Sequence, residues 1–486
     1  MFNEISNDKV YKNLIHGEWV ESENLENLIE IKSPLDGSLV GKVTAMSKKD
    51  IDNVIKSAKK AQANWDNVPI IKRVEILYKA ADILEKHSNE IAEIMLYEVC
   101  KDIKSAKTEV LRTADLIRST ANHSDILQGE SLTGSVYPGY TKNKQAIVTK
   151  VPLGVVLAIS PFNYPINLAA SKIAPAILAG NSVVFKSATQ GVISALHMVK
   201  CFEEAGVPAG VLNSVTGYGS EIGDYIVSHR GINFINYTGS TEVGRKLSKL
   251  AEMTPLLMEL GGKDSAIVLD DADLNLAANN IVSGAFSYSG QRCTAIKRIL
   301  VTKDVADNLV SLIKDEMTKI KAGNPIHEDV TVVPLIDEKT AEFVESLIED
   351  AKKLGADILI GGKRDKNLVY PTLVDNVTEN MRLAWEEPFG PVLPIIRVKD
   401  IEEAIEISNK SEYGLQASVF TKDINKAFYV ANKLEVGAVQ INNKTERGPD
   451  IFPFSGVKDS GVGVQGVKYA IEAMTRPKSI VLNLNL

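Results

Sequence analysis

The sequence predicts an α/β protein organised around two parallel sheets. Three observations carry that expectation. From Val151 onward, short apolar segments alternate with helical ones, and after Gly261 the alternation begins again. The chain has 486 residues, room for about three units of roughly 150 residues each. Apolar residues make up 44% and charged residues 24%, a globular balance, so large cores can form without a disulfide or metal staple.

In chain order, the opening MFNEISNDKVYKN is polar and lacks the apolar core of a signal peptide. LIHGEWV (14–20) reads as a strand. Apolar residues spaced by three and four then predict helices over Asp50–Trp65, Val68–His87 and Glu90–Ser124. The first strand series is VVLAIS, SVVFK, VLNSVTG and INFINYTG, with helices near 189–205, 219–228 and 240–250. The second is SAIVL, RILVT, VLPIIRV, LQASVF and GAVQIN, again with helices between, so two sheets meet near Leu260. Val151–Ser171 carries no charge, but Pro152, Pro161 and Pro165 break it, and Asn163 and Asn167 would need partners in lipid. Buried parallel strands explain this stretch better, and a cytoplasmic protein with no membrane contact is expected. QAIVTKV (145–151) and the tail SIVLNLNL (479–486) lie outside both series. Such strands pair within their own chain or complete a neighbour's sheet, and the pattern leaves both open.

The balance of 55 basic against 62 acidic residues gives a formal charge of −7, which argues against a nucleic-acid binder. Three cysteines (Cys100, Cys201, Cys293) show no paired spacing, and the six histidines form no ligand cluster, so neither a disulfide framework nor a metal site is expected. Cys100 and Cys201 sit in helical patterns and read as packing residues. Cys293, in SGQRCTA beside an arginine, could instead be a held thiolate. Glu259 closes the apolar strand PLLMEL, where a carboxylate is costly unless it is paired, Lys263 being one partner, or unless a raised pKa is used. Asn163 stands in a proline-bracketed loop, where its amide could meet an oxyanion or simply form a turn. The glycine turns Gly217–Gly223 and Gly239–Gly244 each follow a strand, and either could present helix N–H groups to a phosphate.

Seven landmarks, SPFNYPINL, GNSVVFKSATQ, FINYTGSTEVG, MELGGKDSAIV, SGQRCTA, WEEPFGPV and INNKTERGPDIFPFSGVKDSG, resemble in order those of the aldehyde dehydrogenase superfamily, along essentially the whole chain. The resemblance implies a Rossmann-like cofactor domain (1–129 and 151–260) and an α/β catalytic domain (261–457). It also implies a small β oligomerisation arm (130–150 and 473–486), with 458–472 as a return segment, which favours the tail as an intersubunit strand and hence a dimer or a homotetramer. It assigns the chemistry to Cys293 as nucleophile, Glu259 as general base and Asn163 as oxyanion donor. The implied cofactor site comprises Ser160, Lys186, Thr189, Gly219, Gly239, Ser240, Gly244, Leu260, Glu387 and Phe389.

NAD-preferring relatives often carry a glutamate three residues after the lysine, where this chain has Thr189. A carboxylate about 4 Å from a 2′-phosphate would cost on the order of a few kcal/mol at an effective dielectric near ~20, so NADP is expected. Within the superfamily the chain is most similar to the non-phosphorylating, NADP-dependent glyceraldehyde-3-phosphate dehydrogenases of glycolysis. Arg112, Tyr164, Arg292 and Arg447 match that group's substrate pocket, with Asn163 and Thr294 beside them. Arginine forks suit a phosphate. Each also has a plain reading: Arg112 paired with Glu109, Arg292 with any acid, Arg447 in a polar loop beside Glu446. A semialdehyde dehydrogenase, a CoA-acylating enzyme and a non-enzymatic scaffold are the rivals. Glu259 disfavours the second, and the set Cys293, Glu259 and Asn163 has no use in the third.

Overall fold

Two parallel sheets lie either side of Leu260 in a computed structural model that describes residues 1–21 and 27–484. Residues 485 and 486 of the expected arm, and residues 22–26 of the expected first domain, lie outside the described residues. Short N-terminal strands come first. LIHGEWV is not one strand but a hairpin, Asn13–Ile15 against Glu18–Val20, because His16 and Gly17 both take positive φ and turn the chain.

Four helices follow: α1 (Lys48–Trp65), α2 (Ile70–Lys86), α3 (Ser88–Val99) and α4 (Ile103–Asn122). A capping box between Ser47 and Asp50 starts α1. The expected single helix over Glu90–Ser124 is two. Cys100 adopts a left-handed conformation (φ 52°) that ends α3, and the Asp102 side chain caps the N-terminus of α4. Cys100 is buried, as its apolar neighbours implied, but it is a helix terminator and not a helical residue.

The chain then enters the arm with β1 (Glu130–Thr133) and β2 (Lys144–Pro152) before the first sheet. That sheet contains β3 (Val155–Ile159), β4 (Ser182–Lys186), β5 (Leu212–Val215), β6 (Phe234–Thr238) and β7 (Leu256–Glu259). Helices α5 (Asn167–Leu178), α6 (Val192–Glu204) and α7 (Thr241–Leu250) connect them. All five residues of β4 are buried, as expected of a parallel strand covered on both faces. The second sheet uses β8 (Ser265–Val268), β9 (Arg298–Thr302), β10 (Asp357–Ile360), β11 (Thr372–Asp375), β12 (Val392–Val398), β13 (Gln416–Phe420) and β14 (Ala438–Ile441). Its order is β10-β11-β12-β9-β8-β13-β14, parallel except for the edge strand β10. Sequence reading omitted β10 and β11, four residues each and too short to stand out by pattern.

After β14 the chain returns. Val457–Lys458 pairs with Tyr413–Gly414 beside the second sheet. Three residues on, β15 (Gly461–Val462) adds antiparallel to β7, completing the first sheet as β5-β4-β3-β6-β7-β15. The last strand, β16 (Thr475–Asn483), pairs with β2 over nine positions in a three-stranded sheet, β16-β2-β1. The resemblance favours an intersubunit strand for the tail, but in this structure it pairs within its own chain, where β2 offers nine consecutive partners. Among the described residues no helix is long and apolar enough to cross a membrane.

The strand order places the chemistry. In the first sheet the chain builds outward from β3 to β4 and β5, then returns to the other side of β3 with β6. A doubly wound sheet opens its ligand crevice at that reversal, beyond the carboxyl ends of the strands. Ser160, Lys186, Gly239 and Glu259 all stand at or just past those ends. The second sheet turns its amino ends toward them, through the segments leading into β8, β9 and β12.

Candidate active site

Cys293 lies in the segment that leads into β9 and is half-buried, whereas Cys100 and Cys201 are buried. Burial, then the nearby Glu259 carboxylate, pushes its thiol up to about 12. Asn163 is buried in the loop before α5, and its Nδ2 donates to the carbonyl of Gln291 at 2.8 Å, two residues from Cys293. Glu259, at the end of β7, is 2% exposed. Its partner is not Lys263, whose ammonium goes to the carbonyl of Glu386. Glu259 Oε1 instead meets Arg447 at 2.8 Å, and Oε2 accepts from the Thr238 hydroxyl at 3.0 Å. The same hydroxyl accepts from Lys172 Nζ at 2.7 Å. Lys172 is fully buried, which brings its ammonium down to about 8.

The expected substrate residues divide. Arg112 does not pair with Glu109. It holds Asp450 through two contacts, at 2.9 and 3.0 Å, and donates to the Arg447 carbonyl at 2.8 Å. Glu109 is engaged elsewhere, by Lys101 Nζ at 2.5 Å. Arg447 turns from Glu446 to Glu259 and to Gln465 at 3.0 Å, stacked 5.0 Å from the Phe454 ring. Arg292 is buried and donates to the Gly284 carbonyl, with no salt bridge among the described residues. Tyr164 lies over Lys101 Nζ, 3.6 Å from its ring centre, and the carbonyl of buried Thr294 accepts from Thr445 at 2.8 Å.

At the crevice, Lys186 is 6% exposed and donates to the Ser187 carbonyl at 3.3 Å. Burial alone brings its ammonium down to about 8. A buried cation with no carboxylate beside it suits an anionic ligand. The Ser160 hydroxyl is buried with no hydrogen-bond partner among the described residues, and Thr189 stands three residues beyond Lys186, half-buried. Ser240 caps α7, so that helix directs its amino end into the crevice. Gly219 opens a single π-helical turn, while Gly239 follows β6. Gly244 packs on Leu260 so closely that a Cβ would lie 2.5 Å from its side chain. Gly261 has the same constraint against Glu387, where a Cβ would sit 2.3 Å from Oε2. Glu387 Oε1 accepts from the Gly262 N–H at 3.1 Å and lies 3.1 Å from Lys297 Nζ. Phe389, with φ 46°, meets Phe162 edge-on at 5.9 Å. No cluster able to hold a metal occurs among the described residues.

Sequence reading missed Lys172, Thr238, Lys101, Glu109, Asp450, Gln465 and Lys297. A lone charge inside an apolar run, as at Lys172, was the only available signal.

A sequence profile of the aldehyde dehydrogenase family matches residues 19–480. An NADP-dependent glyceraldehyde-3-phosphate dehydrogenase of Streptococcus equinus is 55% identical over 476 residues, 98% of this chain and 99% of that one. One from Pisum sativum is 49% identical over 483 residues, covering 99% and 97%. The crystal structure of the NADP-dependent glyceraldehyde-3-phosphate dehydrogenase of Bacillus halodurans C-125, complexed with NADP, superposes with a TM-score of 0.96 at 55% identity, covering 97% and 99%.

Proposed function

The chain belongs to the aldehyde dehydrogenase family, and from that premise we propose that it oxidises D-glyceraldehyde 3-phosphate to 3-phosphoglycerate with NADP and water. No inorganic phosphate is consumed. Aldehyde, water and NADP⁺ give acid, NADPH and a proton.

Cys293 attacks the aldehyde carbon as thiolate, and the Asn163 amide with the Cys293 N–H takes the oxyanion. NADP, when bound, supplies the hydride acceptor. The crevice fits it: among the described residues Lys186 offers a buried charge with no carboxylate partner and Ser160 an unpaired hydroxyl, and Thr189 brings no carboxylate to repel a 2′-phosphate. Gly219, Gly239, Ser240, Gly244 and Leu260 shape the crevice, and Glu387 and Phe389 take the nicotinamide end. Cys293 is left as a thioester. Glu259 then draws a proton from water, which releases the acid.

Arg112, Tyr164, Arg292 and Arg447 bind the substrate phosphate, with Thr294 beside them. The observation that carries this reading is the position of Arg447. Its guanidinium reaches the candidate base and its carbonyl reaches Arg112, so the cations lie beside the reacting groups.

Residues 1–129 with 151–260 form the cofactor domain, 261–457 the catalytic domain, and 130–150 with 473–486 the arm. Exposed apolar residues on the arm, Leu132, Ile147, Ile480 and Val481, support assembly as a homotetramer. Three free cysteines suit the cytoplasm.

The test is NADPH formation from glyceraldehyde 3-phosphate in phosphate-free buffer, with the product identified. Turnover indifferent to added phosphate, with kcat/KM at least about tenfold higher for NADP than for NAD, is expected. Turnover confined to succinic semialdehyde would move the arginines to carboxylate recognition and sink the substrate assignment.

A further inference from the structure

Lys297 belongs to no motif with an assigned role, yet its ammonium joins two of the segments that lead from the second sheet toward the cleft, and its backbone reaches the third. It is 2% exposed. Its Nζ donates to the carbonyl oxygen of Cys293 and lies 3.1 Å from Glu387 Oε1. Its backbone N–H donates to the Asp264 carbonyl at 2.9 Å. Gly262 fills the space between: a Cβ there would meet the Cys293 carbonyl at 3.1 Å. Thus the leads into β8, β9 and β12 converge on one residue, the last two on its ammonium.

Charge points the same way. Glu259 from the end of β7, Asp264 before β8 and Glu387 before β12 all disfavour a thiolate at Cys293, and Lys297 favours it. Lys172 on α5 also interacts with Cys293, from the far side beyond Thr238. The neighbouring Lys263 is committed to the Glu386 carbonyl, and Arg292 to the Gly284 carbonyl.

We propose that Lys297 is a positioning residue for hydride transfer: one ammonium holds the backbone of the nucleophile and the carboxylate of the nicotinamide-ribose site in fixed relation, and offsets the carboxylates around the thiol. This rests on the assignment of Cys293 as nucleophile and Glu387 as ribose ligand. Both readouts below use protein that need not turn over, so their failure is distinct from failure of the turnover assay.

K297M removes the charge at similar length, and K297R keeps it. Iodoacetamide alkylation is followed at the Cys293 peptide across pH, and NADP affinity by fluorescence titration. In K297M, alkylation at neutral pH slows about tenfold, equivalent to one pKa unit, and K297R recovers most of that loss. NADP affinity in K297M falls about tenfold. Either K297M readout within about twofold of the parent, or K297R no better than K297M, overturns the proposal. Should K297M fail to fold, K297Q combined with E387Q removes both charges of the pair. The proposal then expects the NADP affinity of E387Q alone, and an additive further loss overturns it.

Discussion

The guanidinium of Arg447 donates to Glu259 Oε1 and to Gln465, so a phosphate drawn to the same cation competes with the carboxylate. Arg447→Ala should therefore raise KM for glyceraldehyde 3-phosphate at least about tenfold more than KM for uncharged glyceraldehyde. Steady-state kinetics on both aldehydes decides it, and equal effects would remove the phosphate from this residue. Cys293 allows a second expectation at this scale. Its thiol is raised to about 12 in the protein alone, so little thiolate exists near neutrality. Raising the pH increases that fraction, and the alkylation rate should climb without a plateau well into the alkaline range. A plateau at neutral pH would show a thiolate already formed. As candidates Cys293, Glu259 and Asn163 were legible in the sequence, though only the family resemblance gave them roles. Their partners were not. Lys172 reads as one interruption in an apolar run, and its bond to Thr238 spans 66 residues. The sequence offers Glu109 to Arg112, whereas it bonds Lys101 and both of those side chains are 1% exposed.

Helices α5 and α6 begin directly after the loops that carry Asn163 and Thr189, and neither has a side-chain cap from its own N-cap residue. Glutamates from the preceding helices supply the missing acceptors. Glu109 of α4 takes the N–H groups of Ile166 and Asn167 at 3.2 and 3.1 Å. Glu98 of α3 takes those of Ile193 and Ser194 at 2.6 and 2.8 Å. Borrowed caps leave the loop residues free to face the cleft. Sequence reading could not show this, because a cap 57 or 95 residues distant leaves no local signature. The break after α3 is local but was masked, because apolar spacing runs on through Cys100 and no glycine marks its left-handed turn. Lys101 is the test. It bonds Glu109, donates to the Asn163 carbonyl at 2.9 Å and supports Tyr164. Lys101→Met strands a buried carboxylate and should cost about 3 kcal/mol of stability in denaturant unfolding. It should also lower kcat through Asn163, and unchanged kcat at reduced stability would separate the cap from the chemistry.

Fold class was legible at the scale of the whole molecule, since alternating strands and helices specify parallel sheets wherever they occur. The partner of the last strand was not: the resemblance favoured a neighbouring subunit, whereas β16 pairs with β2 of its own chain, and a terminal strand's pattern is the same in either case. Removing residues 475–484 takes away all nine pairs to β2 and bares that strand. Sedimentation should then show smaller assemblies than the full chain, and an unchanged mass would exclude the arm from assembly. The return segment has a mechanical consequence. Ser460 sits between a pairing to each sheet's neighbourhood: its carbonyl accepts from Leu260 N–H at 2.9 Å and its hydroxyl from Gly414 N–H at 3.0 Å. Arg245 of α7 adds Glu412 and Asp459 across the same seam. Gaping jaws would have to unzip this seam first. The halves are thus riveted along one edge, and any hinge between them would have to break Ser460's bonds to Leu260 and Gly414.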